Sequence, residues 1–102
     1  MNQDEARARL EEFRVRVDDV DRRLVELLNE RTRVVEEIGR VKRQARLPIY
    51  EPRREEQVMA NITGSNTGPL TGEAVRRIFE RIIDEMRTIQ RIRIEQSSDG
   101  DK

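Results

Sequence analysis

The chain has 102 residues, 34% of them apolar and 41% charged, and its 21 Lys and Arg balance its 21 Asp and Glu to a net charge of zero. It has no cysteine and no histidine, which excludes disulfides, Cys- or His-based zinc sites, and the commonest catalytic nucleophile and general base. What remains is one domain with a thin core, which needs a partner for stability.

An enzyme built from this alphabet works with Arg, Lys, carboxylates, amides and hydroxyls, which favours electrostatic stabilisation over covalent or proton-shuttle chemistry. The absent positive excess argues against a nucleic-acid partner. No apolar run approaches the roughly 18 residues of a membrane span. The stretch Met1 to Arg9 is polar, unlike a secretory signal. The expected location is the cytoplasm, with no membrane partner.

The first predicted element is a helix from about Asp4 to Arg46. Its apolar residues are Leu10, Phe13, Val17, Val20, Leu24, Leu27, Val34, Ile38, Val41 and Ala45, spaced 3, 4, 3, 4, 3, 7, 4, 3 and 4. This is a heptad stripe. A helix of that length runs to about 60 Å, against a radius of gyration near ~13 Å for a compact monomer of this size. It must therefore project and be covered, which is the physical case for a dimer.

Arg31 interrupts the stripe. It can fix register, pack its stem while its head reaches water, or aim a guanidinium into an internal pocket. Lys42 follows 11 residues later. That is about 20° from a whole number of turns, so the two side chains share a direction, about 16 Å apart. Lys42 is also the one internal lysine in a chain that otherwise uses Arg. A compact ammonium there is either a chemical choice or an accident on a solvated face.

Pro48 ends this helix through its effect on Leu47. Pro52 opens a second helix, about Pro52 to Thr63, with a thin apolar face of Val58, Met59 and Ile62. Arg54 and Glu55 stand in its first turn, where Glu55 suits the helix dipole whether or not it has another role. Gly64 to Pro69 form a loop and Thr71 an N-cap. The third helix runs from about Gly72 to Glu95 on Val75, Ile78, Phe79, Ile82, Ile83, Met86 and Ile89. Gln90 continues its apolar face, where an amide needs a hydrogen-bonding partner unless the helix is frayed there. Residues 1–96 form the expected domain and 97–102 a disordered polar tail. The fold class is all-α, with one long, one short and one medium helix per chain in an intertwined dimer.

Arg14, Asp21, Arg31, Lys42, Pro48, Glu51, Arg54, Glu55 and Gln90 together resemble the all-helical chorismate mutases of the AroQ type. The stretch Phe13 to Gln57 matches without an apparent gap, and the likeness extends over about residues 10–92. The loop Asn66 to Leu70 and the chain size are also similar to mutase domains joined to DAHP synthases, which points to such a synthase as a partner.

The resemblance implies a dimer of three-helix chains and the Claisen rearrangement of chorismate to prephenate, in phenylalanine and tyrosine synthesis. That reaction needs no cofactor, metal, nucleophile or base. It further implies that Arg31 binds a substrate carboxylate, and that Lys42 and Gln90 donate to the ether oxygen that gains charge. Glu55 would accept from the substrate hydroxyl, with Glu51 and Arg54 lining the same wall. Arg14 would come from the second chain. It lies 17 residues from Arg31, about 25 Å along one helix, while the substrate spans no more than about 10 Å.

Two positions depart from the family pattern. Met86 stands where many relatives carry a small hydroxyl residue, and Glu51 where Asp is frequent. Relatives with Glu at the Gln90 position need that acid protonated, whereas Gln90 donates at any pH. The same scaffold also fits an isochorismate pyruvate lyase, or a non-catalytic prephenate-sensing domain of a DAHP synthase.

Overall fold

The computed structural model describes the backbone of residues 1–100 and the side chains of residues 1–96. Three helices account for the ordered elements: α1 Gln3–Ala45, α2 Pro52–Ser65 and α3 Gly72–Gly100. No strand occurs among the described residues. The contacts divide the chain into two units, residues 1–33 and the chain from Val34 onward.

The first unit is the N-terminal part of α1. Asn2 caps it: the Glu5 backbone N–H donates to Asn2 Oδ1 at 2.8 Å, and Asn2 Nδ2 donates to Glu5 Oε1 at 3.0 Å. This is a relative of the capping box. Ion pairs three or four residues apart, such as Arg22–Asp19 and Arg23–Asp19, decorate its surface. No residue of this unit is buried. Leu10, Phe13, Val17, Val20, Leu24 and Leu27 are each 45–60% exposed. Helix propensity alone holds such a segment weakly in water, so its stability has to come from cover on the apolar stripe.

The second unit holds the core, which is as thin as the composition implies. Val35 and Gly39 of α1 are buried, as are Val75, Met86 and Gln90 of α3. No residue of α2 is buried; α2 lies along α3.

The end of α1 differs from the expectation in its cause. The helix stops at Ala45, and Arg46 takes the left-handed conformation at φ 56°. The Leu47 N–H donates to the Lys42 carbonyl at 2.8 Å and the Arg46 N–H to the Arg43 carbonyl at 3.2 Å. This is the Schellman pattern, which satisfies the last helical carbonyls before Pro48 is reached. The cap is unusual in using a residue with a Cβ, at a cost of about 1–2 kcal/mol. Arg46→Gly is therefore expected to stabilise the fold by about 0.5 kcal/mol once the extra freedom of the unfolded chain is subtracted. A higher urea midpoint at unchanged m-value is the measurement.

Pro52 occupies the first turn of α2, as expected, and α2 runs two residues past Thr63 to Ser65. The connection to α3 is held by Asn66, which accepts from the Gly68 N–H at 3.0 Å and donates to the Leu70 carbonyl at 2.8 Å. Thr71 caps α3 through its Oγ1, which accepts from the Ala74 N–H at 3.1 Å. α3 continues to Gly100, beyond the end expected near Glu95. No Pro or Gly interrupts it before that residue, so helical hydrogen bonds propagate past the last apolar position. Of the polar tail expected over 97–102, Asp101 and Lys102 lie outside the described residues.

Candidate functional site

The Schellman turn folds the segment after α1 back over the helix it has just left. That return brings the Ile49 carbonyl to 2.9 Å and a Glu51 carboxylate oxygen to 3.0 Å from Lys42 Nζ. The Lys42 side chain is only 12% exposed, whereas that of Glu51 is 47% exposed. An ammonium has three donors, and these two acceptors engage two of them. Glu51 is also the N-cap residue of α2, yet its side chain makes no capping hydrogen bond. The carboxylate serves Lys42 in place of the helix terminus.

Glu55 stands one turn further along α2. Its Oε1 accepts from Arg87 of α3 at 2.6 Å, with each side chain little more than a quarter exposed. Arg87 also reaches Asp84 at 3.5 Å and lies over the Tyr50 ring, 5.2 Å from its centroid. A cation at that distance gains from the ring quadrupole.

Gln90 is buried at 8% exposure, and its Oε1 has no hydrogen-bonding partner among the described residues. Its side chain rests on Gly39: a Cβ there would meet Gln90 Cγ at 3.5 Å. Gly39 lies one turn before Lys42 on α1, so the amide sits beside the turn that carries the ammonium. Gly39 and Gln90 also border a small cleft with Glu36, Arg40, Arg43, Arg93 and Ile94, in which Arg93 pairs with Glu36 at 3.0 Å.

Among the residues singled out from sequence, Lys42 and Glu51 form one cluster, Glu55 joins α3 through Arg87, and Met86 and Gln90 are buried on α3. Arg54 is exposed, with a long contact to Gln57 at 3.5 Å. Arg14 and Arg31 belong to the first unit. The Arg14 side chain is 68% exposed and near Glu11 at 3.9 Å, and Arg31 is half-buried. Sequence reasoning missed Arg87, Tyr50, the Ile49 carbonyl and the role of Gly39. The one available signal was that Arg87 precedes Gln90 by three residues on α3, hence on a neighbouring face. Among the described residues no group of His, Cys, Asp or Glu is arranged to hold a metal ion, and no helix is long and apolar enough to cross a membrane.

A buried amide one turn from a fixed, ion-paired ammonium places the chain among helical proteins that keep preorganised polar groups in their interior. The chain belongs to the chorismate mutase type II family, whose model matches residues 13–91. It is 39% identical over 79 residues to the bifunctional chorismate mutase/prephenate dehydratase of Pseudomonas aeruginosa, covering 72% of this chain but 22% of that protein. The chain thus spans about a fifth of the length of that relative. Among solved structures it is similar to the form II chorismate mutase of Thermus thermophilus, with a TM-score of 0.80, 38% identity and coverage of 81% of this chain and 94% of that one. The chorismate mutase of Helicobacter pylori in complex with prephenate matches with a TM-score of 0.80 and 25% identity, over 86% and 96% of the two chains.

Proposed function

We propose that this protein is a chorismate mutase, converting chorismate to prephenate by holding the reactive conformer and stabilising the charge that develops on the ether oxygen. The observation that carries the reading is a nearly buried, ion-paired Lys42 together with a Gln90 buried against Gly39, one turn before Lys42 on α1. Burial fixes the Gln90 amide in place, and its Nε2 is the group that can donate to a ligand oxygen. Lys42 and Gln90 donate to the ether oxygen as the C–O bond breaks. Donors fixed where charge develops act without reorganisation at the moment of reaction.

Glu55 accepts from the ring hydroxyl, and Glu51 holds the ammonium of Lys42 in place. Arg31 binds a substrate carboxylate, Arg54 lines the wall, and Met86 supplies an apolar surface. Arg14 enters from a second copy of the chain. The exposed stripe of α1 supports this dimer, because Val34, Ile38 and Val41 extend it at 44–60% exposure beyond Leu27. The cytoplasm is the location we favour for this activity. A DAHP synthase is the macromolecular partner we favour, on the likeness of the loop Asn66 to Leu70.

The test follows chorismate by ultraviolet absorbance, with acid conversion of the product to phenylpyruvate. Turnover is expected, with a nearly flat rate between about pH 6 and 8, since no histidine is present and Gln90 does not titrate. A folded dimer inert toward chorismate but releasing pyruvate from isochorismate would assign the lyase reaction instead. Inertness toward both would leave a sensing domain.

A further inference from the structure

We propose that Arg87 is a positioning residue for this reaction, fixing Glu55 against the substrate hydroxyl; the inference rests on the mutase reading above. α2 has no fully buried residue, only the half-buried Val58, Met59 and Ile62 on its apolar face, yet it carries the carboxylate assigned to the hydroxyl. The polar link from that carboxylate to α3 is Arg87, whose Nη2 meets Glu55 Oε1 at 2.6 Å. Arg87 is itself braced on two further sides, by Asp84 at 3.5 Å and by the Tyr50 ring at 5.2 Å. One planar guanidinium therefore ties α2, α3 and the segment leading out of α1. A planar fork can stack on a ring and hydrogen-bond through its edge at once, which an ammonium cannot do.

Two consequences follow from this geometry. Glu55 Oε1 is committed to Arg87, which leaves Oε2 as the oxygen for a ligand hydroxyl. Gln90 lies one turn after Arg87 on the same helix, so Arg87 also sets how far the acceptor on α2 stands from the donor on α3. The acceptor and the donor hold opposite parts of one substrate, and their separation is part of orientation.

The experiment is a double-mutant cycle on kcat/KM with Arg87→Met, Glu55→Gln and the double variant, with melting temperature and dimer state recorded for each. Each single change is expected to lower kcat/KM by about ten- to a hundredfold, and the double change by no more than the larger single loss. Arg87→Lys is expected to recover only part of the loss. With a chorismate analogue lacking the ring hydroxyl, Arg87→Met is expected to react as the wild type does, an outcome that a merely structural role would not give. Losses that multiply in the double variant overturn the inference. So does an Arg87→Met enzyme as fast as or faster than wild type, which would mean that Arg87 holds Glu55 away from the substrate. An inert wild type overturns the mutase reading and the inference with it, whereas an active wild type with multiplying losses overturns the inference alone.

Discussion

Lys42→Ala is expected to lower kcat by at least about a hundredfold while leaving a folded dimer. In the proposed reaction the ammonium is a donor fixed at the oxygen that gains charge, so its removal is felt mainly in the transition state. The structural loss is small by comparison. Lys42 pairs with a Glu51 carboxylate that is nearly half exposed, and a stranded Glu51 can rehydrate. A pair of that exposure is worth about 1 kcal/mol or less. The Ile49 carbonyl loses its donor, which adds a loosening of the segment after α1. Lys42→Arg is expected to recover little, because a longer planar fork does not place one compact donor at one oxygen. Steady-state kinetics beside far-ultraviolet circular dichroism separate the two effects. A Lys42→Ala protein that keeps more than about a tenth of wild-type kcat would remove Lys42 from the chemistry, since a donor at the ether oxygen is worth more than that.

Much of this architecture was legible because helices announce themselves by periodicity. The stripe from Leu10 to Ala45 placed α1 within a residue of each observed end, and Pro52 and Thr71 marked the starts of α2 and α3. The stopping of α1 was legible only in position. A left-handed residue is normally announced by glycine, and here it is Arg46, so Pro48 drew the explanation. The end of α3 was set too early because apolar spacing ends before helical hydrogen bonding does.

The site divides in the same way. Lys42 stood out as the sole internal lysine, and Gln90 as an amide on an apolar face; both are withdrawn from solvent. Arg87 is one of 19 arginines by the count of 21 cationic residues less two lysines, and its spacing from Gln90 is the one local mark it carries. Its role arises only when α2 and the Tyr50 segment are brought against α3, a contact between residues 32 positions apart in the case of Glu55. Gly39 is silent for the same reason: the side chain that rests on it comes from another helix.

Leu24→Glu is expected to abolish the dimer and with it most of the helicity of residues 1–33. Those residues bury nothing of their own, and Leu24 is 51% exposed on their apolar stripe. Full burial of a leucine is worth about 1.5–3 kcal/mol, and in a two-fold dimer one substitution acts in both chains while adding a buried charge to each. Sedimentation should give dimer for wild type and monomer for the variant. The wild-type melting temperature should rise with protein concentration, as mass action requires of a fold coupled to association. A wild type that sediments as a helical monomer, with a concentration-independent transition, would remove the dimer. The sharing of the site has its own test. Arg14→Ala and Lys42→Ala chains are each expected to be nearly inactive alone. If Arg14 serves the site of the other copy, each hybrid dimer regains one intact site of two. With half of the re-paired dimers hybrid, about a quarter of wild-type activity should return on mixing through dissociation. If Arg14 serves its own chain, mixing two dead chains returns nothing, because neither chain then holds a complete site.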